Sequence, residues 1–251
     1  MQAGCFFGII IASDLFGEFI MSYIVQLMTC ALFCYVVGTV NPSYIISKIK
    51  GFDIRKAGSG NAGGSNALIT MGKKVGILCM IFDIVKAYVA VKVSMLLMPE
   101  DLLIPAIATT AVILGHMFPA TMGFKGGKGL ACLGGSLLAY SPLVAMVFLA
   151  VELILVFAVN YIVVVPITAS LVYPIVYYYI EGSVGGALIL AIATVAILYK
   201  HRLNIQRIKE GKEVRFSFLW NRESEINRTR ANLTDEEFES LQVKIMKKKK
   251  K

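Results

Sequence analysis

Long apolar runs broken by short polar loops dominate the chain. They cover Ile20 to Val40, Val75 to Met98, Leu102 to Met122 and most of Leu130 to Tyr199. Several approach the roughly 20 residues that a helix needs to cross hydrocarbon. Asn41-Pro42 closes the first run and Pro99-Glu100-Asp101 the second, while Pro142, Pro166, Pro174 and the Gly182–Gly186 stretch interrupt the last. The pattern predicts an all-α fold, a polytopic integral membrane helical bundle. About seven transmembrane helices are expected, some short or broken, with five spans as the competing count.

Three regions follow from this pattern. Residues 1–19 read as an N-terminal apolar or interfacial extension, because Gly4 to Ala12 is apolar but no basic patch precedes it and Asp14 and Glu18 follow. Residues 20–213 form the membrane domain that carries any chemistry. Residues 214–251 are a basic tail. Within it Thr234-Asp235-Glu236-Glu237 reads as a capping box, followed by Phe238, Leu241 and Ile245 on one stripe and Lys247 to Lys251. A short amphipathic helix on an anionic leaflet and a solvated tail both fit.

Composition strengthens the membrane assignment. Hydrophobic residues make up 57% of the 251 and charged residues 16%, with a mean hydropathy of +0.72. The net charge of +9 is concentrated: no Lys or Arg lies between Gly129 and Tyr199, whereas Lys200 to the end holds 15 basic and 8 acidic residues. Basic residues that bracket apolar spans follow the positive-inside pattern rather than forming a nucleic-acid-binding module. Lys48, Lys50, Arg55, Lys56, Lys73, Lys74, Lys125 and Lys128 therefore predict cytoplasmic loops and C-terminus, with the N-terminus outside. Cys5, Cys30, Cys34, Cys79 and Cys132 lie mostly in apolar runs, with neither a metal-ligand spacing nor a disulfide framework.

Two loops carry the candidate chemistry. Arg55-Lys56-Ala57-Gly58-Ser59-Gly60-Asn61 runs on through Gly63, Gly64 and Ser65 to Asn66, with two bases at its head. Gly115 to Gly129 contains His116 and Lys125-Gly126-Gly127-Lys128-Gly129. Backbone N–H groups unshielded by side chains, beside Arg and Lys, suit phosphate oxygens. The second loop lacks Walker spacing, so a nucleotide is disfavoured. His116 and His201 are the only histidines, and His201 and Asn204 share a helical face. Each histidine reads either as an interfacial anchor or as a proton-trading group. Asp83 and Lys86, three apart in an apolar run, read as a buried pair with a functional or a structural role.

Taken together, these residues resemble the bacterial acyl-phosphate-dependent glycerol-3-phosphate acyltransferases. The resemblance runs from Gly38 to Glu213 and rests on three separated motifs. These are Asp53-Ile54-Arg55-Lys56 with Gly58, Ser59, Gly60, Asn61, Gly63 and Asn66; Gly115-His116-Met117-Phe118-Pro119 with Phe124 to Gly129; and His201-Arg202, Asn204-Ile205, Arg207, Gly211 and Glu213. Asp83 and Lys86 fit an Asp-x-x-Lys of the same family.

The resemblance implies acyl transfer from acyl phosphate to the sn-1 hydroxyl of glycerol 3-phosphate, giving lysophosphatidate and phosphate, with no cofactor and no metal. It implies a bacterial cell membrane as the setting, membrane lipids as surroundings, and an acyl-phosphate-producing enzyme as a candidate partner. Lys128, His201 and Asn204 become the catalytic candidates. Arg55, Ser59, Gly60, Asn61, Gly63, Asn66, His116, Lys125, Gly126, Gly127 and Glu213 become the phosphate- or substrate-binding candidates, and Asp83 and Lys86 a supporting pair. The chain departs from the family where Ala62 replaces a proline, Ile69 an arginine, and Val163 to Pro166 a serine-rich stretch; Thr168 or Ser170 are candidate substitutes for the lost hydroxyls. A transporter or channel for a small anionic solute, and an inactive phospholipid-binding protein, are the alternative classes.

Overall fold

The computed structural model describes the backbone of residues 2–213, 215–219 and 221, and the side chains of residues 20–213, 215–217 and 221. The tail helix expected after Thr234 lies outside the described residues. Among those described, the structure is helical throughout: α1 (Gln2–Thr39), α2 (Pro42–Ile49), α3 (Gly64–Met71), α4 (Lys73–Leu97), α5 (Ile104–Met117), α6 (Leu130–Tyr140), α7 (Pro142–Val159), α8 (Val164–Glu181) and α9 (Val184–Lys209). Five helical segments are long and apolar enough to cross a membrane, at Ile20–Ile49, Ile104–Met122, Pro142–Val159, Val164–Glu181 and Val184–Lys209. Helix α4 has 25 residues but carries Asp83 and Lys86 at its centre, and α6 has only 11. The backbone of residues 2–19 is continuous with the first span, so α1 begins at Gln2 without a break.

The long polar connection after the first span is more ordered than its sequence suggests. Asn41 accepts from Tyr44 N and caps α2, and Pro42 stands at a position where its missing N–H costs nothing. The same Asn-Pro pair that ends α1 therefore starts a new helix. Likewise Gly64 to Asn66, expected within a loop, open α3, and Gly115 and His116 belong to the last turns of α5.

The expected proline breaks also resolve differently. Pro142 begins α7, and Pro166 lies in the first turn of α8. Pro174 stands inside α8 and leaves the Ser170 carbonyl without its intrahelical donor. Thr194 Oγ1 on α9 donates to that carbonyl at 2.6 Å, which satisfies the freed acceptor and joins the two helices.

Small residues set the packing where helices approach most closely. A Cβ on Gly38 would strike the Val112 carbonyl, and one on Gly115 the Tyr35 carbonyl, so α1 and α5 meet backbone to backbone. Gly135 lets α6 come up against the Ile84 carbonyl of α4 in the same way. The outer surface is apolar: Leu143, Met146, Leu149, Ile154 and Phe157 of α7 all stand exposed, a face suited to lipid.

The two ends of the bundle differ in chemistry. At one end Tyr140 donates to Glu181 and Tyr177 to the Leu102 carbonyl, each at 2.6 Å. At the other end lie both glycine loops, the C-terminus of α1 and the last turns of α9.

Candidate active site

A buried ionic cluster positions the polar end. Lys86 on α4 reaches Asp83 Oδ1 at 2.7 Å and donates to the Gly38 and Val40 carbonyls at 3.1 and 2.6 Å, satisfying orphan acceptors at the end of α1. Its Nζ is also 3.2 Å from His116 Nδ1 on α5. Side chains of Asp83 and Lys86 are 3% and 4% exposed, so neither charge is solvated and each depends on the other. Asp83, His116 and Cys132 bring potential metal-ligating atoms within 4.8 Å of one another. The Lys86 ammonium already supplies a positive charge to Asp83, a poor setting for a second cation.

This cluster supports the second glycine loop. Gly127 N donates to the His116 carbonyl and Gly126 N to that of Met117, both at 3.1 Å, so these two amides tie the loop to the end of α5. In this structure, the Gly126 and Gly127 N–H groups expected to face a phosphate bond to the end of α5. His116 is 3% exposed, its Nδ1 faces the ionic cluster, and its Nε2 side packs on Gly127. Tyr35 of α1 secures the preceding segment, donating to the Phe118 carbonyl at 2.8 Å and accepting from Ala120 N at 3.2 Å.

Beyond Gly127 the chain meets the last turns of α9. Lys128 Nζ donates to Asn204 Oδ1 at 2.5 Å, and Asn204 Nδ2 donates to Glu213 Oε1 at 2.7 Å. An ammonium only donates and a carboxylate only accepts, so the two partners fix the orientation of the Asn204 amide. Glu213, expected at the substrate, here accepts from Asn204.

One turn earlier on α9, His201 Nδ1 lies 2.9 Å from the Ile197 carbonyl. That carbonyl can only accept, so Nδ1 carries the proton and Nε2 holds the lone pair of the neutral ring. His201 and Asn204 are both largely buried, at 4% and 9% exposure, and share one face as expected. Burial holds the Lys128 amine below the usual lysine range, with Glu213 opposing the shift and Arg207 reinforcing it. Directly after Lys128, α6 begins at Leu130 with Gly129 as an N-cap that makes no side-chain cap bond. Its first N–H groups and Lys128 thus face the same corner.

The first loop is arranged around Asn66. This residue is fully buried; its Nδ2 donates to the carbonyls of Ile54, Ala57 and Asn61, and its Oδ1 accepts from Ser59 N. Its amide, expected to contact phosphate, shapes the loop in this structure. Gly58, at φ +59°, leaves no room for a Cβ beside the Asn66 amide. Arg55 is similarly committed: Nε and Nη2 grip Asp53 at 3.0 and 2.8 Å, while Nη1 donates to the Met122 carbonyl at 2.7 Å. It thus links the two glycine loops. The Arg55 guanidinium, through its hydrogen bonds, holds the Asp53 carboxyl well below the usual range. Ser59 and Gly60 are exposed, Asn61 is half-buried with its amide over Gly63, and α3 starts at Gly64 without a side-chain cap. Lys125 is exposed.

Asp53, Tyr35 and Asn41 are the structural contributors that the loop chemistry alone did not single out. Asn41 donates to the Ala62 carbonyl at 2.7 Å and so fastens the first loop to the end of α1. Asp53, two residues before Arg55, offered a sequence signal for pairing; the Tyr35 clamp spans 83 residues and had none. Neither proposed hydroxyl substitute faces the corner. Thr168 Oγ1 sits 2.7 Å from both Glu152 carboxyl oxygens, and Ser170 Oγ bonds its own helix at the Ile167 carbonyl.

This is a helical integral membrane protein in which a basic, amide-rich corner is built where polar loops meet one end of the bundle. The family model described as glycerol-3-phosphate acyltransferase matches residues 28–211. The glycerol-3-phosphate acyltransferase of Clostridioides difficile (strain 630) is 36% identical over 199 residues, covering 77% of this chain and 95% of that one. That of Aquifex aeolicus (strain VF5) is 35% identical over 186 residues, covering 74% and 96%. The crystal structure of PlsY (YgiH), an integral membrane glycerol 3-phosphate acyltransferase in its glycerol 3-phosphate form, superposes with a TM-score of 0.70 at 32% identity, covering 77% of this chain and 96% of that one. Its lysophosphatidic acid form gives 0.68. The chain belongs to the glycerol-3-phosphate acyltransferase family, which sets the transporter reading aside.

Proposed function

We propose that this protein transfers a fatty acyl group from acyl phosphate to the sn-1 hydroxyl of glycerol 3-phosphate, at the cytoplasmic face of a bacterial cell membrane. The observation that carries this reading is the Lys128–Asn204 pair, set beside His201 and the uncapped start of α6. Two phosphate groups must be held close together, and their negative charge must be neutralised where the apolar acyl chain can stay among the helices. Lys128 and the first N–H groups of α6 suit one phosphate. Ser59, Gly60, Asn61, Gly63 and the uncapped start of α3 suit the other, with Lys125 at the entrance.

Acyl phosphate is a mixed anhydride, so no covalent enzyme intermediate is needed. The glycerol hydroxyl oxygen attacks the acyl carbonyl carbon, forming the ester C–O bond. The bond from that carbon to the phosphate oxygen breaks, and phosphate leaves with the electron pair. The hydroxyl proton ends on the departing phosphate. Lys128 offsets the charge that gathers on the leaving oxygen, Asn204 keeps the ammonium aimed, and the lone pair on His201 Nε2 orients the attacking hydroxyl by accepting from it.

Purified protein given labelled glycerol 3-phosphate with acyl phosphate should form lysophosphatidate, while acyl-CoA should not replace the donor. Product from acyl-CoA alone would overturn the choice of donor. Lack of product and of released orthophosphate from a folded sample would overturn the activity and leave a phospholipid-binding role.

A further inference from the structure

Phe216 and Ser217, close behind Glu213 in the chain, fasten to the α7–α8 turn. Asn160, at φ 64° and ψ 26°, holds that turn in a left-handed conformation that asparagine tolerates. Its carbonyl accepts from Phe216 N at 2.8 Å, its Oδ1 accepts from Ser217 N at 2.8 Å, and its Nδ2 donates to Ser217 Oγ at 3.1 Å. The Phe216 ring packs edge-on against Phe157 of α7, with centroids 5.3 Å apart. The chain is thereby anchored at both ends of a four-residue interval, by Asn204 at Glu213 and by Asn160 at Ser217. Four residues span at most about 14 Å, so the anchor limits how far Glu213 can stray.

We propose that the attachment of Phe216 and Ser217 to Asn160 acts as a strap, with Asn160 as a positioning residue that sets Lys128 through Glu213 and Asn204. The connection runs from the Asn160 amide to Ser217, along the backbone to Glu213, then through the Asn204 amide to the Lys128 ammonium. The effect of the strap is to keep the Asn204 amide from rotating. The strap also sets the electrostatics of Lys128, whose surroundings are Glu213 on one side and Arg207, Lys200 and His201 of α9 on the other. Displacing Glu213 leaves mainly cationic or neutral neighbours. The family model matches residues 28–211, and Phe216 and Ser217 lie after that span.

The inference rests on the acyltransferase reading for its catalytic consequence but not for its structural one, and the test separates the two. Asn160→Gly keeps the left-handed turn and the backbone bond while removing both side-chain bonds to Ser217. Phe216→Ala removes the ring contact with Phe157 and keeps both Asn160 side-chain bonds to Ser217. In full-length protein, each is expected to lower kcat by about tenfold with the KM for glycerol 3-phosphate within about twofold. The pH dependence of Lys128 labelling by a neutral amine reagent, read by peptide mass, is expected to move to lower pH by roughly half a unit. Asn160→Asp, which retains an acceptor for Ser217 N, is expected to restore part of both.

Unchanged labelling in both variants overturns the strap, whatever happens to kcat. A labelling shift with unaltered kcat overturns its catalytic role. If the native protein fails to turn over acyl phosphate yet the labelling shift appears, the acyltransferase reading falls and the strap stands.

Discussion

A Cβ on Gly127 would fall on the imidazole of His116, which places a ring buried among α4 and α5 directly beneath the residue that precedes Lys128. Gly127 is therefore required for space. Gly127→Ala should push the Lys128 corner outward. Displacements of about 1 Å cost on the order of 100-fold in rate, so kcat should fall to about that extent while protein yield is retained. Steady-state kinetics check this, and near-native kcat would show that the loop yields without consequence.

The Asp83–Lys86 pair allows a sharper test of stability. Removing one member strands the other charge in an apolar helix packing, at a cost of about 3–5 kcal/mol. Asp83→Asn and Lys86→Met should each lower the thermal midpoint in detergent strongly. The double variant should recover part of the loss, because no unpaired charge remains. Additive losses would show that the two side chains do not depend on each other.

Much of the bundle was legible because apolar runs near membrane length leave few alternatives to helices. The chemistry-bearing types were legible too: Lys128 and Asn204 meet across 76 residues, and His201 lies on the face expected from its spacing. What the chain pattern does not reveal is which polar groups spend themselves internally. Asn66, Arg55, Gly126 and Gly127 look like ligand-binding groups in a loop. Their partners are backbone carbonyls, the Ser59 N–H and one carboxylate, brought near by the ordering of that loop. Helices α2 and α3 were missed for a related reason, since Pro42 and the glycines before Asn66 are read as breakers although they also start helices.

Lys128 gives the pH dependence its sign. Burial holds its amine below the usual lysine range, so the charge that neutralises phosphate is lost earlier as pH rises than for a free lysine. Turnover should decline on the alkaline side through that lowered value, and the decline should vanish in Lys128→Arg, whose guanidinium stays charged. Lys128→Ala should reduce kcat by about 100- to 1000-fold, the usual loss on removing a group that stabilises developing charge. A pH–rate profile for native and Lys128→Arg protein checks the assignment; an identical alkaline limb in both would transfer it to another group.

Asp53 governs the acid side of stability rather than of rate. Its carboxyl is held low chiefly by hydrogen bonding to Arg55, with Lys48 at 3.3 Å as a weaker partner. A carboxylate whose folded value is depressed stabilises the fold above its unfolded value, near about 3.9, and that contribution is lost as pH falls through the folded value. Asp53→Asn should therefore lower the thermal midpoint at neutral pH. Discounted for the solvent that reaches this pair, the loss should be about 1 kcal/mol or less. The gap between variant and native protein should narrow as pH drops below about 4, because protonation of Asp53 reproduces the substitution. Because Arg55 also holds the Met122 carbonyl, the same variant should loosen the junction between the two glycine loops and raise the KM for glycerol 3-phosphate. Thermal unfolding at several pH values, paired with that KM, checks both effects; a gap that stays constant down to strongly acid pH would remove Asp53 from the account.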